Sequence, residues 1–278
     1  MNDCSLLVLS CDKYRDLWDP FFKLLKNNWG DCPFDIYLVT EAEVFNCDYL
    51  DVKTITNQKN GQWSRRLLEA LKRIDSKYIL FMLDDFFIKN KVDEAYIFQC
   101  LEWMEEDNKI ACFSFVPSLW KDKNEMKYKK FVERPNGSYY RVNCQAGVWN
   151  KKVLMDLIKP YEDAWDFEWR ASCRSNKTDY RFFALKKHTP WIIDYNYDNG
   201  GGGIHRGKWS HGVESVFAQN GIDVDFSIRG FDDNPAPPLG EIENDNPKPD
   251  WYSTSLFGNI IYIVKHAKIV VQDWINYK

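Results

Sequence analysis

The first half of the chain alternates short apolar runs with segments whose apolar residues recur at helical spacing. The runs predict strands at residues 4–11, 34–40, 51–56 and 77–83. The helical spacing predicts a helix within 14–30, regular from Pro20 onward, and a second helix within 60–76. Strands that alternate with helices in this way predict an α/β fold with a mainly parallel central sheet flanked by helices.

The second half shows a looser pattern. Helices are predicted at 93–107, 151–158 and 162–174, where Glu162 or Asp163 would cap the N-terminus of the last of them. Strands are predicted at 110–116 and 188–197, and a hairpin is predicted around Pro135–Gly137. The four glycines at 200–203 predict a loop that is mobile or that approaches a ligand closely.

These elements predict one α/β domain over residues 1–230, made of halves 1–116 and 117–230. Residues 231–278 form a Pro- and acid-rich arm that leads to a predicted C-terminal helix. Lys265 and Lys268 lie beside the apolar stripe of that helix. The pattern therefore leaves two alternatives open: the helix packs on the domain, or it contacts a membrane surface.

Composition narrows the class of protein. The net charge of −4 over 278 residues gives no basic footprint for nucleic acid. The eight cysteines form no CxxC pair, which favours reduced thiols. The polar N-terminus does not resemble a signal peptide, and no apolar run reaches the roughly 18 residues that a membrane-spanning helix needs. We therefore expect a cytoplasmic protein, with peripheral contact at the inner face of the membrane if the C-terminal helix binds lipid. The oligomeric state stays open.

Acidic residues follow the predicted parallel strands. Asp12 follows the first, and the adjacent pair Asp84 and Asp85 follows the fourth. Ligands of open α/β sheets bind at this carboxyl edge. Adjacent residues of an extended chain point to opposite faces, so the two carboxylates can share a site only if the chain turns there. At about 5 Å their repulsion would be on the order of 3 kcal/mol, which requires a cation or a shared proton. The alternative is that one acid binds a ribose or caps a turn while the other is salt-bridged.

The segment NQKNGQWSRRLLEALKRIDSKYILFMLDDFF, residues 57–87, resembles the centre of nucleotide-sugar glycosyltransferases of the GT-A fold. In that family a glycine-containing turn and an Arg-bearing helix precede an apolar strand that ends in acids. The later QAGVWNKKVL and the acidic helix EDAWDFEWR resemble inverting members that build bacterial capsule and lipopolysaccharide. The resemblance extends over residues 4–210 in layout. It implies inverting transfer of a sugar from a nucleotide-sugar donor to a glycan or lipid-linked acceptor.

The resemblance also implies a donor site. Its residues would be Asp12, Arg65, Asp84, Asp85, Arg206 and Lys208. Asp85 and His205 are the candidate ligands of a divalent cation, Mn²⁺ or Mg²⁺, that would neutralise the diphosphate. The chain departs from the family because it has adjacent acids and no DxD. A metal-independent transferase that uses basic side chains therefore stays an alternative.

The helix at 162–174 supplies the candidate catalytic base. Glu168 shares a helical face with Trp165 and Trp169, and burial between the rings would raise its pKa. Asp166 is the reserve because it can pair with Arg170, four residues on; Asp163 stays possible. The residues expected to bind the acceptor are Gln145, Trp165 and Trp169. The tryptophans considered for stacking on base or sugar are Trp63, Trp149, Trp165 and Trp209.

Two other functions are compatible with the sequence. One is a nucleotidyltransferase on a similar core, although a basic, glycine-rich signature directly after the first strand is missing. The other is a non-catalytic glycan-binding protein, which the aromatic content of 16% favours and the ordered acids do not. The sequence contains no GxSxG, GxGxxG or P-loop in the required context, so hydrolase and dehydrogenase functions lack support.

Overall fold

A computed structural model describes residues 3–57, 61–118, 123–124, 126–138, 140–195 and 202–233. Eleven strands occur in these ranges. They are β1 (Cys4–Leu9), β2 (Asp35–Thr40), β3 (Val52–Thr56), β4 (Tyr78–Leu83), β5 (Ile110–Pro117), β6 (Lys123–Asn124), β7 (Phe131–Glu133), β8 (Gly147–Asn150), β9 (Arg181–Leu185), β10 (Ile204–His205) and β11 (Lys208–Trp209).

The same ranges contain six α-helices. They are α1 (Trp18–Trp29), α2 (Trp63–Arg73), α3 (Glu94–Glu106), α4 (Lys151–Leu157), α5 (Ala164–Ser175) and α6 (Val213–Gln219). Short 3-10 helices cover Asp12–Leu17 and Phe226–Ile228. Asp163, and not Glu162, caps α5 by accepting the backbone N–H of Asp166 at 2.8 Å.

Strands β1 to β9 form one sheet in the order β3-β2-β1-β4-β8-β5-β9-β7-β6. Strands β3, β2, β1 and β4 are mutually parallel, and β5 and β9 also pair in parallel. The chain builds outward from β1 in one direction through β2 and β3, then returns to add β4 on the other side. The strand order therefore reverses between β1 and β4, which is the place where open α/β sheets bind ligands.

Helices cover both faces of the sheet, and two apolar cores result. Alternate residues of β1 point to opposite faces, so Leu6 and Val8 join the core under α1, α3 and α6, whereas Leu7 and Leu9 join the core under α2, α4 and α5. The continuous apolar runs in the sequence follow from this double burial. The predicted α/β class with a central sheet flanked by helices is confirmed.

Two local predictions for the second half are wrong. Residues 188–195 form no strand, and Tyr195 makes only an isolated bridge to Ile88. The segment Pro135–Gly137 makes a turn but no hairpin, because β7 pairs with β6 and β9 instead. Strand β8 was not predicted; it inserts between β4 and β5, antiparallel to both. The predicted arm and C-terminal helix at 234–278 lie outside the described residues, as do Gly200 and Gly201.

All eight cysteines are free thiols in the structure. In the described part of the chain, no helix combines the length and the apolar character needed to span a bilayer.

Candidate active site

The centre of the site lies where the parallel strands β1 and β4 end. Leu9 of β1 pairs with Leu83 of β4, so the next residues, Ser10 and Asp84, are neighbours. The hydroxyl of Ser10 donates a hydrogen bond to the Asp84 carboxylate and accepts one from the indole N–H of Trp18 at 2.6 Å. All three side chains are buried. This chain of hydrogen bonds fixes the Asp84 carboxylate at the point where the strand order reverses.

The chain turns at the acidic pair. The backbone N–H of Phe86 donates to the carbonyl of Leu83 at 3.2 Å, so Asp84 and Asp85 occupy the two central positions of a β-turn. Burial raises the pKa of Asp84 well above its ordinary value, and the charge of Asp85 adds to the effect. Burial also raises the pKa of Asp85 to about 6. The chain therefore turns at the acidic pair, as two carboxylates that share a site require. The raised pKa values mean that each carboxyl group is stabilised by binding a proton or a cation.

A small hairpin made of β10 and β11 is anchored on Asp85. The backbone N–H of Gly203 donates to the Asp85 carbonyl at 2.7 Å, and that of Ile204 donates to Asp85 Oδ2 at 3.4 Å. A Cβ added to Gly202 would lie 2.0 Å from Asp85 Oδ2. Glycine is therefore required at residue 202 for this close approach.

The tip of the hairpin presents cations to solvent. Arg206 and Gly207 both have positive φ, 51° and 82°, which defines a two-residue type I′ turn. The side chains of Arg206 and Lys208 are exposed. His205 instead forms a hydrogen bond through Nδ1 to Asp232, which is buried. The predicted glycine-rich loop is thus, over its described part, an ordered hairpin with Arg206 and Lys208 free to meet an anion.

The described residues include no cluster of three His, Cys, Asp or Glu side chains that could hold a metal. The predicted pair of Asp85 and His205 is therefore not a ready-made metal centre in this part of the chain. Mg²⁺ is commonly bound through one or two carboxylates while substrate phosphates and waters complete its shell. Asp84 and Asp85 fit that kind of site.

Asp12 and the helix α2 line the neighbouring strand ends. Asp12 Oδ1 accepts the backbone N–H groups of Glu41, Ala42 and Glu43 at 3.0–3.2 Å. It therefore organises the loop after β2, and its contact with the donor stays a prediction. Arg66 is buried and pairs with Glu41 at 3.0 Å, so it is not a solvated residue. Arg65, the predicted donor ligand, lies half-buried on the first turn of α2.

One further cation, Arg229, was missed by the sequence reasoning. It forms a two-pronged ion pair with Asp16, donates to the carbonyl of Gly207 at 3.2 Å, and lies 4.7 Å from the centre of the Tyr14 ring. Its charge lowers the pKa of Asp84. Arg229 thus ties the hairpin to the 3-10 helix after β1. No local motif marks it, because Asp16, its ion-pair partner, is 213 residues away in sequence.

Glu168 is buried on α5, where its Oε1 accepts the backbone N–H of Cys144 at 2.6 Å. Burial raises the pKa of Glu168 to about 7, while the Cys144 N–H and the charge of Arg134 act in the opposite direction. Asp166 is also buried and lies 3.7 Å from Arg170, as its i, i+4 spacing predicts. Glu168 therefore has the properties of a base that works near neutral pH.

Gln145 lies between the acidic turn at Asp84 and Asp85 and the carboxylate of Glu168. Its Oε1 accepts the hydroxyl of Tyr195 at 2.8 Å, and the Tyr195 ring stacks on Phe86 at 4.4 Å, directly after the acidic turn. Cys144, next to Gln145, holds Glu168. A continuous set of contacts therefore runs from the acidic turn to the carboxylate on α5.

The candidate tryptophans differ in how far their side chains are exposed. Trp149 and Trp209 are only 2% and 1% exposed, so the prediction that they stack on a ligand is wrong; both are core residues. Trp63 is half-buried and packs against Phe167 at 5.5 Å. Trp165 is 71% exposed on α5. Trp169, on the same helical face, is half-buried.

Comparison with known proteins gives remote structural similarities. No family model and no curated protein matches the chain. TarS 1–349 of S. aureus is 13% identical with a TM-score of 0.45, and the match covers 69% of this chain and 59% of that one. The chain thus spans less than two thirds of that structure.

Two other solved structures are similar at the same level. A mannosyltransferase from Pyrobaculum calidifontis in complex with GDP-Man and Mn²⁺ is 12% identical, with a TM-score of 0.45 over 99% of this chain and 82% of that one. A cytidylyltransferase from Leptospira borgpetersenii is 11% identical, with a TM-score of 0.42 over 68% of this chain and 77% of that one. These values do not decide between the two activities, so we infer function from the site itself.

Proposed function

We propose that the chain is a GT-A-like glycosyltransferase that moves a sugar, with inversion, from a nucleotide-sugar donor to a glycan or lipid-linked acceptor in polysaccharide biosynthesis. One observation supports it above all others. Asp84 and Asp85 lie in one turn at the strand-order reversal, and a hairpin with exposed Arg206 and Lys208 is anchored on Asp85. Acids that favour a cation, next to basic side chains, suit a nucleoside diphosphate.

The candidate residues fall into two groups, one that would bind the donor and one that would act on the acceptor. Asp84 and Asp85, with Arg65, would face the nucleotide and its diphosphate, and the cations of the hairpin tip would close over the phosphates. When bound by the acidic pair, Mn²⁺ or Mg²⁺ would neutralise the charge of the leaving diphosphate. In a metal-independent reaction, Arg206 and Lys208 would supply that neutralisation.

Glu168 would act as the base, with Asp166 the reserve. Its carboxylate takes the proton of an acceptor hydroxyl, and the oxygen forms a bond to the anomeric carbon on the face opposite the leaving group. The bond between that carbon and the diphosphate oxygen breaks, and the nucleoside diphosphate leaves with the electron pair. A pKa of about 7 leaves Glu168 partly ionised at neutral pH and basic enough to accept the proton.

A product assay tests the proposal. The protein is incubated with UDP-, GDP- or dTDP-sugars and oligosaccharide acceptors, or separately with nucleoside triphosphates and sugar 1-phosphates, each with and without Mn²⁺. The released nucleotides and pyrophosphate are separated by ion-exchange chromatography. We expect a nucleoside diphosphate from at least one donor. Release of pyrophosphate from a nucleoside triphosphate and a sugar phosphate would instead identify a nucleotidyltransferase. The absence of turnover and of nucleotide binding would leave the glycan-binding alternative.

A further inference from the structure

Two exposed aromatic side chains lie on the segments around Glu168. The exposed large apolar side chains of the described residues are Val44, Met126, Tyr140, Trp165 and Ile228. Only Tyr140 and Trp165 among them are aromatic, at 45% and 71% exposure. Isolated exposed apolar residues need no explanation. Here, however, both exposed rings occur beside the same buried carboxylate.

The segment 140–145 runs alongside α5 in the opposite direction. Arg141 Nη1 donates to the Ser175 carbonyl at 2.9 Å, the backbone N–H of Val142 donates to Ser172 Oγ at 2.9 Å, and that of Cys144 donates to Glu168 at 2.6 Å. Tyr140 therefore lies toward the C-terminal end of α5, whereas Trp165 lies in its first turn. Glu168 lies between them.

Tyr140 is held in a costly backbone conformation. Its φ is +48°, in the left-handed region that tyrosine rarely adopts. Its carbonyl accepts hydrogen bonds from Arg134 Nη1 and from Asn143 Nδ2, the latter at 3.3 Å, and both of these side chains are buried. Strain that buried neighbours maintain is typical of functional positions. Here the buried pair fixes an aromatic ring that stays exposed.

The chemistry of this surface matches a saccharide. Pyranose rings present flat C–H faces, which pack on aromatic rings, and a rim of hydroxyls, which hydrogen-bond to carboxylates and amides such as those of Glu168 and Gln145. Between Trp165 and Ser172, which is bonded to the Tyr140 segment, α5 rises by about 10 Å, more than one pyranose ring spans. The electrostatic effect of Glu168 on the Tyr140 hydroxyl agrees with this proximity.

We propose that Tyr140 and Trp165 form the two sides of an acceptor subsite for a saccharide of at least two sugar units, whose reacting hydroxyl lies at Glu168. The inference rests on the proposed function and specifies its acceptor class. It adds Tyr140, a residue without any motif, as a determinant of acceptor binding. A bare lipid phosphate would need no pair of aromatic rings.

Saturation-transfer-difference NMR tests the subsite with a panel of neutral and N-acetylated disaccharides that includes lactose, maltose and chitobiose. The proteins are wild type, Tyr140→Asn, Trp165→Ala and the control Met126→Ala, which removes an 87% exposed side chain. We expect transfer to at least one disaccharide with wild type and control, and a loss of at least fivefold in the other two variants. Asparagine tolerates the left-handed region, so Tyr140→Asn should melt within about 2 °C of wild type.

Titration with nucleoside diphosphates in the same samples separates this inference from the proposed function. If nucleotides bind but no disaccharide shows transfer, or if transfer is unchanged in both aromatic variants, the subsite is contradicted and the donor site stands. If no nucleotide binds to any sample, the proposed function itself fails. Loss of disaccharide signals with unchanged nucleotide affinity is the result that supports the subsite.

Discussion

The carboxylate of Asp84 accepts a hydrogen bond from the hydroxyl of Ser10 across the reversal of strand order. Ser10 in turn accepts the indole N–H of Trp18 at 2.6 Å. One small hydroxyl therefore satisfies a buried acid on one side and a buried donor on the other. The position of Asp84, the proposed donor-binding acid, therefore depends on Ser10, which directly follows β1.

Replacement of Ser10 should be costly. Ser10→Ala leaves both the Asp84 carboxylate and the Trp18 N–H without this partner, so we expect a loss of about 3 kcal/mol in the free energy of unfolding. Ser5→Ala is the matched control, because Ser5 is buried in β1, which ends one residue before Ser10, and its hydroxyl bonds to the half-buried hydroxyl of Ser76. It should cost about 1 kcal/mol. Urea unfolding measures both; equal losses would contradict the importance given to the Ser10–Asp84 bond.

The close approach of Gly202 to Asp85 gives a second prediction. Gly202→Ala forces its Cβ or the Asp85 carboxyl to move, since the two would be 2.0 Å apart. Affinity for the donor nucleotide should fall by at least about tenfold, or 1.4 kcal/mol. Gly221→Ala is the control: its φ of +65° makes the change costly by about 1 kcal/mol, but no atom lies within 4 Å of the new Cβ. It should lower stability and leave affinity intact, as calorimetry can show.

Arg206 is predicted to strengthen donor binding, although it is less favourable than asparagine for the stability of the turn. Asn-Gly is the preferred pair for a type I′ turn, so Arg206→Asn should keep or raise the melting temperature. Loss of its charge should weaken donor binding about tenfold if Arg206 contacts the diphosphate. Lys152→Gln removes a cation that is 79% exposed on α4 and should change neither quantity. A donor affinity unchanged in Arg206→Asn would exclude the hairpin tip from the phosphate site.

The assignment of Glu168 as the catalytic base predicts how the reaction rate depends on pH. The carboxylate must be ionised to accept a proton, so the rate should rise with pH and level off above about pH 7. Glu168→Gln should lower kcat by about 10² to 10⁴ and remove this limb of the profile. Asp166→Asn, changed two residues away on the same helix, should keep the limb. If Asp166→Asn removed the limb and Glu168→Gln kept it, the reserve residue would be the base.

The same pKa predicts a stability effect of defined sign. Because burial raises the folded pKa of Glu168 above its unfolded value, folding favours the protonated acid. Its contribution is fully present below about pH 4.5 and is lost as the pH rises through about 7. Glu168→Gln should therefore gain stability relative to wild type between pH 5 and pH 8, by on the order of 3 kcal/mol. Thermal unfolding of wild type and Glu168→Gln at pH 5 and at pH 8 would measure this difference in stability.

The sequence predicted those parts of the fold that local patterns determine. Strands β1 to β4 are apolar runs because helices cover both faces of the sheet. Asp12 and the pair Asp84 and Asp85 follow β1 and β4 as predicted, and ligand binding at this edge stays a prediction. Strand β8 escaped prediction because it has only four residues, and its place between β4 and β5 depends on partners distant in sequence. The strand predicted at 188–197 does not form over its described residues, 188–195, where Tyr195 stacks on Phe86 within a loop.

Site residues divide in the same way. Asp84, Asp85 and Glu168 could be named as candidates from the sequence, and their roles stay predictions. The turn that brings the two aspartates together was stated as a condition, and it is present in the structure. Arg229 and Tyr140 were not identifiable. The first acts through partners at the other end of the chain, and the second is distinguished only by its backbone angle and its exposure. Trp149 and Trp209 appeared as ligand-binding aromatics because composition does not separate core rings from exposed ones.

Binding of nucleoside diphosphates at the acidic turn tests the account most directly. Isothermal titration calorimetry would compare UDP, GDP, CDP and dTDP, with and without Mn²⁺, for wild type, Asp84→Ala, Asp85→Ala and the surface control Lys152→Gln. We predict that at least one of them binds wild type and Lys152→Gln equally, and that it binds the Asp85 variant at least about tenfold more weakly. No binding by any of them, or equal binding by all four proteins, would contradict a nucleotide-sugar site at Asp84 and Asp85.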